Sequence, residues 1–143
     1  MSDKKLTLKV ITPLKIVLET ECDAVFSTAV DGEFGVLPGH IPMTTTLGVG
    51  YTKYLIGKEE KYLTTLGGIF QIDNDTVTIL AEIAEIGEEI DVTMANAEKQ
   101  RAEALLAEQT PDESNYTVAQ ISLAKALARL KVAMKSGLDI NKM

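Results

Sequence analysis

The most informative segment of the N-terminal part is Asp31-Gly-Glu-Phe-Gly-Val-Leu-Pro-Gly-His-Ile-Pro-Met43, because it is rich in glycine and proline. Glycine permits positive φ and close backbone approach, while proline fixes φ and removes a hydrogen-bond donor. A flexible linker would be rich in serine and would lack large apolar side chains. The stretch therefore predicts a shaped, ordered loop. Four apolar side chains are available to anchor it to a core: Phe34, Val36, Leu37 and Ile41.

Short strand-like runs lie on both sides of this loop, all of them before residue 87. They are rich in β-branched residues and are punctuated by Gly, Pro, Asn and Asp, with polar turns predicted at 56–61 and 73–75. Short strands at a spacing of about 8–12 residues predict an all-β sandwich or barrel. We expect a β-sandwich over residues 1–86, built from runs at Leu6–Ile11, Lys15–Thr20, Ala24–Val30, Gly48–Ile56, Lys61–Thr65 and Thr76–Leu80.

The chain changes to helical character near Gly87. Asp91 is a candidate N-cap, and no glycine or proline follows it before Pro111. The segment 110–113 predicts a second helix start, with threonine at the cap, proline in the first turn and glutamate three residues later. Gly137 is placed to end that helix. Residues 87–143 are therefore expected to form an antiparallel two-helix hairpin.

The predicted hairpin has a thin seam. On the second helix an apolar stripe recurs at Leu123, Leu127, Leu130 and Met134. Alanines of the two helices are expected to face each other: Ala95, Ala97, Ala102 and Ala104 against Ala124, Ala126 and Ala128. Such a seam buries little apolar area at about 25 cal/mol per Å², and isolated helices are marginal in water. A weakly held element beside a stable sandwich suits a two-position switch, which favours an interaction or regulatory protein.

Composition excludes several classes of function. The 143 residues carry a net charge of −7, which disfavours nucleic-acid binding and a polybasic membrane anchor. No apolar run is long enough for a transmembrane helix, and Lys9, Lys15 and Glu19 interrupt any signal-peptide core. Cys22 is the one cysteine, which excludes an internal disulfide and predicts a small buried strand residue. One histidine and one cysteine give no zinc site and no Cys-His catalytic set.

Three segments together carry a resemblance to a known family. They are the run from Gly32 to Pro42, the tetrapeptide Leu66-Gly-Gly-Ile69, and the helical tail from Leu123 to Leu130. In this order and spacing the chain resembles the epsilon subunit of bacterial-type F-type ATP synthases over essentially its whole length. The resemblance implies a non-catalytic subunit of the rotor's central stalk, at the cytoplasmic face of the bacterial cell membrane.

The same resemblance implies partners for each part of the chain. The sandwich would bind the gamma subunit on one side and the membrane rotor ring of c subunits on the other, with Asp31 and Glu33 against the ring. The helices would reach the alpha/beta catalytic head. The subunit would couple proton transport to ATP synthesis, and its helices would restrain wasteful ATP hydrolysis.

Some bacterial epsilon subunits bind ATP, and the resemblance extends to that site. The family motif Ile/Leu-Asp-x-x-Arg-Ala reads Ile90-Asp-Val-Thr-Met-Ala95 here, so Met94 replaces the arginine. Arginine gives bidentate contacts to anions that lysine cannot give, so affinity should be weak. The alternative is that the charged members are solvated helix-face residues. The nucleotide-binding residues implied by the resemblance are Glu85, Ile90, Asp91, Ala95, Arg101, Lys125 and Arg129.

Other residues of the chain bear on the possibility that it is an enzyme. Asp31 and Glu33 form a carboxylate pair, but no basic group lies near them in sequence to complete a catalytic set, and an exposed loop tip is the simpler interpretation. His40 is interpreted as a hydrogen-bonded structural residue, and Gly67-Gly68 is too short for a phosphate cradle. The lack of a nucleophile and base pair disfavours a hydrolase. A stand-alone small-molecule-binding sandwich with an oligomerising helical tail remains the alternative.

Overall fold

The computed structural model describes residues 4–108 and 114–141, and the chain divides into two compact units, Met1–Ile86 and Gly87–Met143. The first unit is an eight-stranded β-sandwich and the second contains two helices, which confirms the predicted fold class. The strands are β1 Leu6–Ile11, β2 Ile16–Cys22, β3 Ala24–Ala29, β4 Gly32–Val36, β5 Met43–Ile56, β6 Glu59–Asp73, β7 Thr76–Ala81 and β8 Ala84–Ile86. A 3₁₀ turn at Gly87–Glu89 precedes helices α1 Val92–Glu108 and α2 Ser114–Lys135.

Two long strands organise the sandwich. The strand order is β2-β1-β7-β6-β5-β3-β4, in which only β1 and β7 pair in parallel, and β8 pairs separately with β6. β5 and β6 pair from Met43↔Ile72 to Ile56↔Glu59. On its other edge, β6 pairs first with β8 and then with β7, and the change of partner falls at Gly67-Gly68. The long hairpin therefore serves both layers, and the glycine pair marks the crossing between them.

Gly68 shows why that crossing needs glycine. Its φ is +132°, and a Cβ at this position would lie 2.1 Å from the carbonyl oxygen of Leu80. Gly67 has φ +85°. Because side chains rarely adopt such φ values and no space exists beside Gly68, the pair is a structural requirement of β6.

The two-residue hairpin turns follow the local sequence. Asn74 and Asp75, between β6 and β7, have φ of 53° and 61°, which is the left-handed pair that fits the twist of a two-residue hairpin. Gly57 opens the other turn with φ +61° and donates its N–H to Asp23 Oδ2 at 2.7 Å. Both predicted polar turns are confirmed.

The sandwich core consists of large aliphatic and aromatic side chains from alternate positions of the strands. Phe34 packs edge-on against Phe70, with ring centroids 4.7 Å apart. Burying a Val, Leu, Ile or Phe side chain contributes about 1.5–3 kcal/mol. The fully buried members include Leu6, Leu8, Val10, Val25, Val36, Leu63, Phe70, Ile72, Val77 and Ile79.

The segment predicted as a loop is in part a strand. Gly32–Val36 forms β4, which pairs with β3 across the turn at Val30 and Asp31. Of the four proposed anchors, Phe34 and Val36 face the core, but Leu37 and Ile41 are 60% and 75% exposed. The prediction was wrong for those two because the strand ends at Val36. Beyond it, Gly39 N–H donates to Asp75 Oδ1 at 2.7 Å, so a polar contact holds the loop.

The ends of the helices confirm the predicted capping. Asp91 Oδ1 accepts a hydrogen bond from the Met94 N–H at 2.9 Å, which is N-cap geometry. At the other end, Gly137 has φ +92°, its N–H donates to Met134 O, and the Leu138 N–H donates to Ala133 O. This is a Schellman motif. The start of the second helix predicted at 110–113 lies outside the described residues.

The seam between the helices is made of small residues, in part different from those predicted. Ala97, Ala104 and Ala124 are exposed, and Leu127 and Met134 are 46% and 52% exposed. The predicted stripe was wrong at those positions because alanines at a seven-residue spacing occupy the buried face of α2 instead. The buried residues of the two helices are Ala95 and Ala102 on α1 with Ala119, Ala126, Leu130, Val132 and Ala133 on α2.

Candidate functional site

The acidic pair of the sandwich lies on the β3–β4 hairpin. Asp31 is in the turn, and Glu33 follows on β4 opposite Thr28. Asp31 and Glu33 are both exposed. They line a shallow depression, and Met43 and Thr45 also contribute to its wall. Asp31 and Glu33 were interpreted as an exposed loop tip; both are exposed, but Glu33 is a strand residue of β4 and not part of a loop.

A tyrosine holds that carboxylate. The Tyr51 hydroxyl donates to Glu33 Oε1 at 2.8 Å. Burial of the Tyr51 side chain, together with this hydrogen bond, raises the pKa of Tyr51 to about 12. The hydroxyl is protonated at physiological pH, as in any tyrosine, and the raised pKa extends the range in which it can donate to Glu33 to more alkaline pH. Tyr51 was not identified from the sequence, because it reaches Glu33 across the sheet from β5.

His40 and Cys22 have structural roles in the described chain. His40 Nδ1 lies 2.7 Å from the backbone oxygen of Ile41, which confirms the interpretation of a hydrogen-bonded residue. Cys22 is buried at the end of β2, and this burial raises the pKa of its thiol to about 11. The raised pKa keeps the thiol protonated, and a protonated thiol is a poor nucleophile.

A second candidate site lies between the helices of the second unit. A groove of about 280 Å³ is lined by Glu98, Arg101, Ala102 and Leu105 of α1 and by Ser122, Lys125 and Arg129 of α2. Residues three and four apart share a helix face, so each helix presents one row of side chains to the groove. Three cations and one carboxylate meet there. The arrangement fits an anion that carries several negative charges.

The carboxylate and one cation of the groove are paired. Arg129 Nη1 donates to Glu98 Oε2 at 3.0 Å. The side chains are 18% and 34% exposed, respectively, so this ion pair is partly shielded from water. It joins α2 to α1. Sequence reasoning missed Glu98, although its position three residues before Arg101 would have placed both on one helix face.

The other residues of the implied nucleotide set lie elsewhere. Asp91 caps α1, and Ile90 is 7% exposed; both line a separate depression beside Gly137. Ala95 is 1% exposed in the seam. Glu85 belongs to the sandwich unit, on β8, where its Oε1 accepts a hydrogen bond from the Thr64 hydroxyl at 3.1 Å. Within the helical unit the structure therefore gathers Arg101, Lys125 and Arg129 at the groove and places Ile90, Asp91 and Ala95 away from it.

Met94 occupies the position of the motif arginine. It is 59% exposed and precedes Glu98 and Arg101 by four and seven residues on α1. That spacing puts Met94 on the helix face that lines the groove, one turn nearer the start of α1. A longer cationic side chain at this position would extend along the groove.

Within residues 4–108 and 114–141, no group of three or more His, Cys, Asp and Glu side chains is placed to hold a metal ion. In the same ranges, neither helix has the length and apolar character needed to cross a membrane.

Two family models match the chain in succession. The model described as ATP synthase, Delta/Epsilon chain, beta-sandwich domain matches residues 5–87. The model described as ATP synthase, Delta/Epsilon chain, long alpha-helix domain matches residues 88–134. The two matches together span both structural units.

Individual relatives agree with the family models. The chain is 46% identical over 133 residues to the ATP synthase epsilon chain of Syntrophobacter fumaroxidans, covering 93% of this chain and 98% of the relative. It is 41% identical over 133 residues to that of Geobacter sp. strain M21, covering 93% and 96%. Among solved structures, the Euglena gracilis mitochondrial ATP synthase (OSCP/F1/c-ring) contains a chain of the same fold. Its TM-score is 0.77 at 24% identity, with 93% of this chain and 86% of that chain covered.

Proposed function

We propose a function from the premise that this chain belongs to the ATP synthase delta/epsilon chain family: it is the epsilon subunit of the rotor's central stalk. Matches to both domain models over residues 5–134 carry this proposal, because they account for the sandwich and the helices together. The chain is a non-catalytic part of the enzyme complex. It couples proton transport to ATP synthesis in a bacterial synthase, as a peripheral subunit at the cytoplasmic face of the cell membrane.

The sandwich unit supplies the rigid connections. We assign it the gamma subunit as one partner and the rotor ring of c subunits as the other. Torque transmission needs a body that does not deform, and the core of fully buried large side chains in this unit suits that need. Asp31 and Glu33 are the proposed contacts to the ring. The hydrogen bond from Tyr51 supports this role, because it holds the Glu33 carboxylate in one direction.

The helical unit supplies regulation. We assign its helices the alpha/beta catalytic head as their partner and the restraint of ATP hydrolysis as their role. The seam of alanines supports this assignment, because it gives a small energy gap between alternative helix positions. A subunit whose helices were firmly packed could not move between a restraining and a permissive position.

ATP is proposed as a weak regulatory ligand of the helical unit. Arg101, Lys125 and Arg129 supply the positive charge that a triphosphate needs. Met94 removes one expected guanidinium, Lys125 is a weaker partner than arginine, and Glu98 opposes the anion. These features together favour a dissociation constant near or above ~1 mM, or about −4 kcal/mol.

Co-purification tests the proposed function against the alternative of a stand-alone binding protein. An affinity tag on the full chain, expressed in its own organism, should recover a multi-subunit complex with ATPase activity. The tagged full chain that carries Glu33→Ala should recover the same complex, since one exposed side chain does not hold the assembly. Recovery of the chain alone, or of a homo-oligomer, would contradict the assignment.

A further inference from the structure

The cationic groove of the helical unit already contains an anion, and the chain itself supplies it. Glu98 lies on α1 with Arg101 one turn further on, and its Oε2 receives the Arg129 N–H of α2 at 3.0 Å. The side chains of Arg129 and Glu98 are 18% and 34% exposed. Partial burial reduces screening by water, so this ion pair has more effect than a pair on an open surface.

A phosphate would accept hydrogen bonds from the same Arg129 guanidinium that donates to Glu98. A guanidinium binds a carboxylate or a phosphate through the N–H groups of one planar fork. The N–H that Glu98 accepts is therefore withheld from a ligand in the groove. The fixed negative charge of Glu98 also stands on the groove wall, where it repels any phosphate that approaches Arg101 and Lys125.

We propose that Glu98 is the resident counter-ion of this groove, which clasps α2 to α1 through Arg129 and competes with a phosphate-bearing ligand for the same guanidinium. The proposal rests on the proposed nucleotide site and adds the residue that sets its affinity. It implies that the hairpin is held closed without nucleotide. It also implies that a ligand has to displace Glu98 before it can engage Arg129.

The first test measures anion affinity in the full-length chain. ATP and inorganic tripolyphosphate are titrated by calorimetry at low ionic strength into the unmodified chain, Glu98→Gln, Arg129→Ala and the double variant. Glu98→Gln keeps the shape of the side chain and removes its charge. Glu103→Gln is the matched control, because Glu103 is an exposed residue of α1 outside the groove.

Glu98→Gln should bind both anions about tenfold more tightly, the factor of one charge-assisted hydrogen bond regained. Glu103→Gln should change the affinity by less than about twofold, as expected for a screened surface charge. In the Arg129→Ala background, the gain from Glu98→Gln should shrink to less than about threefold, because the competition for the guanidinium no longer exists and only the screened repulsion between Glu98 and the phosphates remains. An equal gain in both backgrounds would overturn the proposed action through Arg129.

The outcomes separate this proposal from the proposed ligand. If ATP binds the unmodified chain and Glu98→Gln changes nothing, the counter-ion role is wrong and the nucleotide role stands. If tripolyphosphate binds Glu98→Gln more tightly while ATP binds no form, the counter-ion role stands and ATP is the wrong ligand. If neither anion binds any form, both assignments are wrong.

Amide hydrogen exchange across α1 and α2 tests the clasp without measuring affinity. The unmodified chain should keep the same protection with and without ATP. Glu98→Gln should exchange about threefold faster in the helices without ligand, since one interhelical contact is lost, and ATP should restore the protection. Unchanged protection in Glu98→Gln without ligand would show that the pair of Glu98 and Arg129 does not hold α2 to α1.

Discussion

The sandwich and the hairpin bury different kinds of side chain, although each forms a compact unit. Of the twelve largest fully buried side chains among the described residues, eleven lie in the sandwich and one, Val132, lies in the helices. The seam of the helices consists mainly of alanine, which contributes one methyl group at each position. Since burial stabilises roughly in proportion to apolar area, the sandwich is the stable body and the hairpin is the adjustable one. This division suits the roles proposed above, torque transmission for the sandwich and restraint of hydrolysis for the helices.

The largest expected effect is at the crossing of the sandwich layers. Gly68→Ala should destabilise the sandwich by more than about 3 kcal/mol, because its Cβ would lie 2.1 Å from the Leu80 carbonyl oxygen at a φ of +132°. Gly57→Ala is the control: φ is +61°, no atom lies within 4 Å, and about 1 kcal/mol of strain is expected. Urea unfolding followed by circular dichroism measures both. Equal losses of unfolding free energy in the two variants would show that the position of Gly68 at the crossing imposes no special constraint.

A pair of truncations compares a fully buried ring of the sandwich with the half-exposed leucine of α2 that was predicted to lie in the seam. Phe70→Ala should cost about 3–5 kcal/mol, because the ring is fully buried and contacts Phe34. Leu127→Ala on α2 should cost less than about 1 kcal/mol, since its side chain is 46% exposed. Chemical denaturation of the full chain gives both values. A larger loss at Leu127 than at Phe70 would reverse the assignment of the stable body.

The acidic pair tests function at nearly constant stability. Glu33→Ala should leave the melting temperature within about 2 °C, as expected for an exposed change, while proton-coupled ATP synthesis by a reconstituted complex falls. Glu60→Ala is the matched control, because Glu60 accepts a hydrogen bond from the Tyr62 hydroxyl at 3.1 Å in the same way. Glu60→Ala should leave synthesis unchanged. A large stability loss with normal coupling would assign Glu33 to folding instead.

The same variant has a pH signature. Tyr51 has its pKa raised to about 12, so its stabilising contribution is complete below its unfolded pKa near ~10 and is lost as pH rises through about 12. Glu33→Ala should lower the pKa of Tyr51 only in part, because burial is the larger cause. Ultraviolet titration of the tyrosines measures the shift. No shift at all would show that the hydrogen bond is absent in solution.

The smallest expected effect concerns the nucleotide. Met94→Arg should tighten ATP binding, because a guanidinium would be added on the α1 face of Arg101. The gain should be larger in a Glu98→Gln background, since Glu98 lies one turn from residue 94 and would otherwise pair with the new arginine. Calorimetry on the single and double variants decides this. Tight binding by the unmodified chain, or no gain in either background, would show that the site is misplaced.

Local sequence rules predicted most of the fold. Asp91 as a cap, Gly137 as a helix end and the turn at Asn74 depend only on neighbouring residues, and all three are confirmed. β4 was missed because Gly32 and Gly35 disfavour a strand locally. Gly35 nevertheless fits there, because the Phe26 ring from β3 occupies the space of its missing Cβ. That reason is a contact between strands, which sequence alone does not display.

The helix faces and the groove depended on longer-range packing. A 4-3-4 spacing of leucine and methionine fits one face of α2, but the alanines beside it fit the seam more closely, so Leu127 and Met134 remained exposed. Arg101, Lys125 and Arg129 were found through the family resemblance and are gathered at one groove. Glu98 was missed because its partner lies 31 residues away, across the hairpin.

Removal of the helices is the decisive test of their proposed regulatory role. A chain ending at Gly87 is assembled with the remaining ATP synthase subunits, and ATP hydrolysis is compared with that of the complete complex over a range of ATP concentrations. Circular dichroism first establishes that residues 1–87 fold alone, as their filled core predicts. We expect a folded, assembled sandwich and faster hydrolysis without the hairpin. An assembled complex with unchanged hydrolysis would contradict the regulatory role of the helices.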